Sequence, residues 1–339
     1  MITEVGLDDG FAMTKVAMTD GRTFVMPSHG KAGTSGRTDL LGKSGTSGLY
    51  TTEGRQFSVG ISDPESTNFP EYPHSPLNRA IVQHALQRAG GLAPDIEIAS
   101  GLPVSAFYAD TGKKRTAAIE RKRRSLLLAV TSESCSPIGI RFHSVVPEAL
   151  AAWYDFVIND EDGSPTIDES RCQSPVAVVD IGGRTTDFVV VTDQSVDHRS
   201  SGSIEAGLLD VERTVESVLS EEFDVPEVSL RLVRSAISTG QIKLFGQAHD
   251  VKPLVDPIKA FLVERVHDEC RRKLGQAAEL DQVLFVGGGS AALKHEINGW
   301  FPNHAIATDP GFANARGLLK FLRYVCERPT QSSVITAAQ

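Results

Sequence analysis

Two stretches of this chain place a carboxylate, a glycine and a threonine at the same spacing. They are residues 5–18 (VGLDDGFAMTKVAM) and 176–192 (VAVVDIGGRTTDFVVVT). At an offset of 172 residues the following positions coincide: Asp8 with Asp180, Gly10 with Gly182, Thr14 with Thr186 and Lys15 with Asp187. Backbone N–H groups around a glycine-containing turn can bind an anion, and a nearby carboxylate can hold hydrated Mg²⁺. Each stretch therefore resembles half of a phosphate clamp.

The side chains in these stretches suit the same chemistry. Gly182 and Gly183 allow the backbone to approach a ligand, Thr185 and Thr186 offer hydroxyl donors, and Lys15 offers a point charge to phosphates. Either loop alone is weak evidence, because D-x-G turns are common in hairpins. In that plainer interpretation Lys15 is a solvated strand end. Two copies half a chain apart instead favour a duplicated domain whose hairpins face each other.

A third glycine-rich stretch follows a predicted buried strand. Residues 282–286 run into Gly287, Gly288 and Gly289 and then into a predicted helix. Glycines at such a turn let backbone approach a flat ligand, and the helix N-terminus can face a phosphate. A strand-to-helix turn without a ligand is the alternative.

The surrounding pattern alternates strands and helices. It predicts a hairpin of strands 176–181 and 188–192, a helix at 77–89, a strand at 96–101 and an antiparallel pair at 125–130 and 138–146. A helix is expected to start at Pro147, where Glu148 would complement the helix dipole. Mostly helical segments are predicted at 207–222, 226–237 and 253–274.

Three segments have less regular composition. Residues 113–124 carry seven basic side chains and one acid, which predicts a helix with a solvated cationic face or, alternatively, a surface for an acidic partner. Residues 30–48 predict a flexible surface loop, or a contact loop that orders on assembly. Residues 159–173 are acidic and polar and predict a linker or a long hairpin turn, which would be the domain boundary.

Composition limits the class of protein. A chain of 339 residues predicts two domains of about 150 residues each. A net charge of −9 argues against direct binding to nucleic acid, and four cysteines without a C-x-x-C pair indicate reduced thiols rather than a zinc site. No signal-peptide pattern and no apolar run of membrane-spanning length is present, so a cytoplasmic location and no membrane partner are expected.

The motifs in their order resemble the actin/Hsp70/sugar-kinase superfamily. The order is D-x-G-x-x-x-T-K, P-E-A-x-A, V-V-D-x-G-x-x-T-x-D, V-G-G-G and A-N-A-x-G. Residues 101–108 (GLPVSAFY) and 119–124 (IERKRR) make the chain most similar to the plasmid-segregation actins of the ParM/StbA family. The resemblance covers essentially the whole chain.

This resemblance implies an α/β, two-domain actin-like fold of the duplicated ribonuclease-H-like kind, with a nucleotide cleft between the domains. Domain I would span 1–160, with a C-terminal helix at about 312–327 packing back on it. Domain II would span 174–311, with a mostly helical insertion at about 207–280. The cofactors would be ATP, or GTP, and Mg²⁺.

The resemblance also implies roles for individual residues. Asp8 and Asp180 would hold Mg²⁺ through water, with Asp180 also catalytic, and Glu148 would orient the attacking water. The cofactor-binding residues would be Asp9, Gly10, Phe11, Ala12, Met13, Thr14, Lys15, Gly182, Gly183, Arg184, Thr185, Thr186, Gly287, Gly288, Gly289 and Ser290. Arg184 departs from the small or hydroxylic residues usual at its position, and Phe11 and Met13 are bulkier than usual.

Three functions fit these expectations. The first is a filament-forming ATPase that polymerises with nucleotide and moves plasmid DNA through an adaptor protein bound to a centromere-like site. The second is a monomeric kinase acting on a small substrate. The third is a nucleotide-gated scaffold for cell shape or organelle positioning. The partners would be further copies of the chain and, in the first case, the adaptor.

Overall fold

A computed structural model describes residues 3–34, 47–61, 64–160 and 164–328 of the chain. The elements of the first half are, in order, β1 (Thr3–Asp9), β2 (Met13–Met18), β3 (Thr23–Pro27), β4 (Gly30–Ala32), β5 (Gly48–Thr52), β6 (Arg55–Val59), a 3-10 helix (Tyr72–His74), α1 (Pro76–Ala89), β7 (Asp95–Leu102), α2 (Val104–Phe107), α3 (Thr116–Leu127), β8 (Gly139–Pro147), α4 (Leu150–Val157) and β9 (Ile158–Asn159). A five-stranded sheet with the order β3-β2-β1-β7-β8 forms its centre.

The second half is built around a second mixed sheet. Its elements are β10 (Thr166–Ile167), α5 (Glu169–Gln173), β11 (Val176–Ile181), β12 (Thr186–Thr192), β13 (Ser195–Val196), β14 (Gly202–Ile204), α6 (Leu208–Glu222), α7 (Leu230–Thr239), β15 (Gln241–Leu244), β16 (Gln247–Asp250), α8 (Lys252–Leu274), β17 (Gln282–Val286), α9 (Gly287–Ala292), α10 (Lys294–Ile297), β18 (His304–Ile306), a 3-10 helix (Pro310–Phe312) and α11 (Ala313–Tyr324). The central order is β13-β12-β11-β17-β18, and β14 also pairs with β12.

The two sheets have the same topology. In each, an antiparallel hairpin (β1–β2 or β11–β12) is extended by one further antiparallel strand and, on the other side, by two parallel strands. The strands β1 and β11 are central in their sheets, and five of seven and all six of their residues, respectively, are buried, as expected for strands covered on both faces. The predicted duplication of an α/β unit is confirmed.

The last helix returns to the first half. α11 packs on β1 and α4, and two glycines permit the close approach. A Cβ atom on Gly6 would lie 2.0 Å from the Ala315 carbonyl oxygen, and one on Gly317 would lie 1.7 Å from the Ala151 carbonyl oxygen. The bounds 1–160 and 174–311 remain our proposal for the two domains.

Several local predictions were wrong. Residues 125–130 do not form a strand, because α3 continues to Leu127 with Ser125 and Leu126 buried against the core. β8 pairs with β7 in parallel instead. Pro147 ends β8 and α4 begins at Leu150, so the dipole explanation for Glu148 does not apply. The face of α3 is also not wholly solvated, since Lys122 is fully buried.

The segments 30–48 and 159–173 contain some regular structure. Gly30–Ala32 and Gly48–Thr52 are strands at the ends of the predicted loop, and the remainder of the predicted contact region, 35–46, lies outside the described residues. Residues 159–173 contain β10, which pairs antiparallel with β9 as a hairpin would, and the short helix α5. Their role as a domain boundary stays a prediction. Among the helices that the structure describes, none combines the length and apolar composition needed to cross a bilayer.

Candidate functional site

The two hairpins present equivalent positions to each other. In β1–β2 the register pairs Asp8 with Lys15, and in β11–β12 it pairs Asp180 with Asp187. The sequence offset therefore corresponds to the same place in two copies of one hairpin. Each carboxylate lies at the strand end that leads into the glycine-containing turn.

The turns of the two hairpins are in contact. A Cβ atom on Gly183 would lie 2.7 Å from the Ala12 Cβ and 3.0 Å from the Ala12 nitrogen, so a side chain there would push the loops apart. The first loop is held from behind by Ser28, whose hydroxyl donates to the Gly10 carbonyl oxygen at 2.7 Å. The Ser28 N–H donates to the Ala12 carbonyl oxygen at 3.0 Å.

A cluster of acidic groups surrounds one ammonium group at this junction. Lys15 Nζ donates to Asp8 Oδ2 at 2.8 Å, and both side chains are nearly buried. Burial by itself would lower the pKa of Lys15, but the negative charges of Asp8, Asp180 and Glu148 raise it overall. Lys15 therefore stays charged, bound to Asp8 of its own half and within the electrostatic influence of Asp180 from the other half.

The acids of the cluster have pKa values raised above those of exposed carboxylates. Burial, followed by the charges of Asp187 and Asp8, raises the pKa of Asp180 to about 7. Burial, then the charges of Asp187, Asp8 and Asp180, raises the pKa of Glu148 well above its usual value. Burial also raises the pKa of Asp187. These acids repel one another and form a site that a cation would stabilise.

Glu148 lies in the turn between β8 and α4. Its N–H donates to the Leu102 carbonyl oxygen at 2.8 Å, which ties the turn to the end of β7. A Cβ atom on Gly101 would lie 2.8 Å from Glu148 Cγ, so this glycine leaves room for the glutamate side chain. The half-buried carboxyl group is thus held among the other acids and can orient a water molecule or accept its proton.

The carboxylates of the site suit a magnesium ion whose coordination shell is completed by phosphate oxygens. Asp8 and Asp180 supply the hard oxygen ligands that Mg²⁺ prefers. Within the described ranges, no group of three or more acidic, histidine or cysteine side chains is arranged to hold a metal alone. Protein sites for nucleotide-bound Mg²⁺ commonly use one or two carboxylates together with water and phosphate oxygens.

Several predicted ligand side chains make hydrogen bonds within the protein. The Thr14 hydroxyl lies 2.9 Å from the Ser28 hydroxyl, and Thr186 Oγ1 donates to the Ala206 carbonyl oxygen at 2.8 Å. Thr185 Oγ1 donates to Asp187 Oδ2 at 2.8 Å. Phe11 is buried against Tyr72, with 5.4 Å between ring centres. These side chains shape the loops, so any contact to phosphate falls mainly to backbone groups of residues 10–13 and 183–185.

Two charged side chains at the loops also have protein partners. The carboxylate of Asp9 accepts from the buried Lys122 ammonium, which also donates to the Pro73 carbonyl oxygen at 2.8 Å. Arg184 Nη1 donates to Asn68 Oδ1 at 2.7 Å and Arg184 Nη2 to Glu205 Oε1 at 2.9 Å. Arg184 therefore crosses from the second half to the first.

The third glycine-rich stretch packs on the end of β11. A Cβ atom on Gly287, whose φ is +87°, would lie 2.1 Å from Asp180 Oδ1, and one on Gly289 would lie 2.3 Å from Ile181 Cγ2. A Cβ atom on Gly288 would meet open space. The Ser290 hydroxyl donates to the Val286 carbonyl oxygen at 2.5 Å. Gly288 is thus the member of this stretch with room for a ligand.

Three residues of the site were not identified from the sequence. Asp187 is the last residue of the motif V-V-D-x-G-x-x-T-x-D and occupies the position equivalent to Lys15 in the other hairpin. That equivalence is the sequence feature that could have identified it. Asn314 lies in the A-N-A-x-G motif, and its Nδ2 donates to Asp180 Oδ2 at 2.6 Å. Lys122 lies in the stretch 119–124 that supports the family resemblance, but nothing in the sequence distinguishes it from the six other basic residues of the run 113–124.

Comparisons with known proteins agree with this architecture. Residues 4–158 match the family model "Plasmid segregation protein ParM, N-terminal", and residues 178–299 match "Archaeal actin homologue MreB-like, C-terminal". A curated archaeal actin homolog from Thermoplasma volcanium is 25% identical, over 92% of this chain and 96% of the relative.

Solved structures share the fold over nearly the full length. The structure of a 15-stranded ParM filament from Clostridium botulinum superimposes with a TM-score of 0.76 at 18% identity, covering 94% of this chain and 98% of that one. A crystal structure of an archaeal actin homolog in complex with ADP gives a TM-score of 0.71 at 20% identity, covering 95% and 99%. The predicted two-domain actin-like fold is confirmed.

Proposed function

We propose that this chain, which has an actin-like fold, is an ATPase that polymerises with bound nucleotide and hydrolyses it. The observation that carries the proposal is the meeting of two equivalent hairpins, with Gly183 against Ala12 and carboxylates from both halves around Lys15. A triphosphate between these turns would accept hydrogen bonds from the backbone N–H groups and from Lys15, and a cation would neutralise the acids.

Each residue has a defined task in this proposal. Backbone N–H groups of residues 10–13 and 183–185 bind phosphate oxygens. The Lys15 ammonium group, which now donates to Asp8, would also donate a hydrogen bond to a phosphate oxygen. Asp8 and Asp180 would hold Mg²⁺, which neutralises charge on the phosphates when bound. Glu148 orients the attacking water, and burial among the other acids raises its pKa, which makes its carboxylate a stronger proton acceptor than that of an exposed glutamate. Gly288 leaves room for the nucleoside.

The filament and the cargo are the finer parts of the proposal. The filament is supported by the shared fold with a ParM filament subunit. Plasmid segregation through an adaptor is supported by the match of residues 4–158 to the ParM model, and the acidic net charge of −9 favours an adaptor over direct DNA contact. A replicon carrying this gene should be lost faster when Glu148 is replaced by alanine.

The first experiment measures assembly and hydrolysis together. The purified chain is mixed with Mg²⁺ and ATP or GTP, the polymer is pelleted, and phosphate release is followed in parallel. Glu148→Ala should still pellet but release phosphate about 100-fold more slowly, because a positioned base contributes about that factor. Glu133→Ala, an exposed acid in the same half, is the control and should behave like the wild type.

The outcomes separate the candidate functions. Polymer without phosphate release from the wild type would favour a nucleotide-gated scaffold. Hydrolysis without polymer, accelerated by a small hydroxyl compound, would favour a kinase. Unchanged phosphate release in Glu148→Ala would show that Glu148 does not have the proposed role.

A further inference from the structure

The residue after Glu148 has an unusual backbone conformation. Ala149 has φ 61° and ψ −43°, and the Leu150 N–H donates to the Glu148 carbonyl oxygen at 2.7 Å. A hydrogen bond across three residues with positive φ is the strained type of γ-turn, which is rare for residues other than glycine. The strain therefore lies directly beside the glutamate proposed to orient water.

One side chain contacts both this turn and the carboxylate from the other half. Asn314 Oδ1 accepts from the Ala149 N–H at 3.2 Å, and Asn314 Nδ2 donates to Asp180 Oδ2 at 2.6 Å. Asn314 is 5% exposed and stands in the first turn of α11. A single carboxamide thus links the turn that carries Glu148 to Asp180.

The chemistry of the carboxamide matches this position. The link needs an acceptor at one end and a donor at the other, and asparagine supplies both within one rigid planar group. Aspartate would keep the acceptor but place a second carboxylate against Asp180. An apolar residue would leave the Ala149 N–H and the Asp180 oxygen without this partner, in a site where unpaired polar groups are costly.

We propose that Asn314 is a positioning residue for hydrolysis, holding the Glu148 turn in its strained form and the Asp180 carboxylate in register with it. This inference rests on the proposed ATPase function. In this proposal Asn314 acts through the two acids and not by direct contact with the phosphates or the water. Its loss would let the turn relax and move the Glu148 carboxyl group away from the position set by Leu102 and Ala149.

The first measurement does not depend on activity. Amide hydrogen exchange of the nucleotide-free full chain is followed in the segment 145–153 for the wild type and Asn314→Ala. The Ala149 amide should exchange at least about tenfold faster in the variant, because its hydrogen bond is lost and the turn opens locally. Asn314→Asp retains the acceptor and should keep the protection. Equal protection in the wild type and Asn314→Ala would overturn the proposal.

The second measurement separates binding from turnover. Asn314→Ala should hydrolyse ATP about 10- to 100-fold more slowly per bound nucleotide, because misplacing a reacting group costs about that much. Its dissociation constant for a fluorescent ATP analogue should change far less. Adding Ala149→Gly should restore part of the rate, since glycine adopts positive φ without strain. An equal loss of rate and affinity, or no recovery with glycine, would contradict the proposal.

Two further variants complete the design. Asn303→Ala is a matched control, since Asn303 donates to the Ala277 and Leu280 carbonyl oxygens away from the site. It should lower the melting temperature without changing turnover per bound nucleotide. Glu148→Ala tests the proposed function separately: unchanged hydrolysis there would refute the ATPase assignment of Glu148, whereas slow hydrolysis there with normal hydrolysis in Asn314→Ala would refute only the role of Asn314.

Discussion

Replacing Lys122 by methionine should destabilise the first half of the molecule and weaken nucleotide binding. The side chains of Lys122 and Asp9 are 1% and 3% exposed, and the ammonium group pairs with the Asp9 carboxylate and with the Pro73 carbonyl oxygen. Methionine fills a similar volume but leaves the carboxylate buried without its partner. Because Asp9 ends β1 and precedes Gly10, the change reaches the first phosphate loop directly.

The magnitude follows from the burial of both groups. Removing one partner of a buried ion pair costs about 3–5 kcal/mol, which is a large part of the roughly 5–15 kcal/mol of a typical domain. The melting temperature should fall by about 10 °C. Combining Lys122→Met with Asp9→Asn should recover much of the loss, because no uncompensated charge remains.

The dependence on pH gives an independent check. Burial raises the pKa of Asp9, and the charge of Lys122 opposes that shift. Without Lys122 the folded state binds a proton at Asp9 more tightly than the unfolded state does. The destabilisation by Lys122→Met should therefore be smaller at about pH 5 than at about pH 8.

Urea denaturation followed by circular dichroism measures these free energies. Arg124→Met on the same helix is the control, because its side chain is 76% exposed and its loss should change stability by no more than about 0.5 kcal/mol. A Lys122→Met variant as stable as the wild type, or a double variant no better than the single one, would refute the reasoning.

Three further predictions concern the loops and the core. Arg184→Ala removes a charge-assisted hydrogen bond of about 1.5–3 kcal/mol between the halves. Nucleotide release, measured by stopped flow, should therefore be about tenfold faster. Unaltered release in this variant would contradict a bridging role for Arg184. Gly183→Val should weaken nucleotide affinity by about 1–3 kcal/mol through its clash with Ala12 while circular dichroism stays native, and unchanged affinity would show that the loops can separate freely. Burial, with a smaller contribution from the charge of Lys122, lowers the pKa of His143 to about 3, below the usual 6.5. The contribution of His143 to the free energy of unfolding should therefore be fully present above about pH 6.5 and fall by up to about 1.4 kcal/mol per pH unit below it. His143→Gln should give a shallower slope of stability against pH in acid denaturation. An equal slope would exclude this histidine as the cause.

The sequence predicted the elements of the fold unevenly. The hairpins at β1–β2 and β11–β12 were predicted because their β-branched runs and glycine turns are local signals. The strand proposed at 125–130 was wrong because an apolar run of that length suits either a strand or the last turn of a helix. The packing of Leu126 into the core decided in favour of the helix.

The sequence identified the two acidic hairpins and the glycine-rich turn of the site, but not all of its residues. Residue types at a fixed offset predicted two equivalent hairpins, because turns and strand periodicity are encoded within a few residues. The order of the motifs predicted the actin-like fold through its resemblance to a known family. Only the tertiary structure decided the partners of the charged groups. Lys122 meets Asp9 across 113 residues and Asn314 meets Asp180 across 134, and the short-range pattern of a chain does not encode contacts that arise when distant elements pack around a common core.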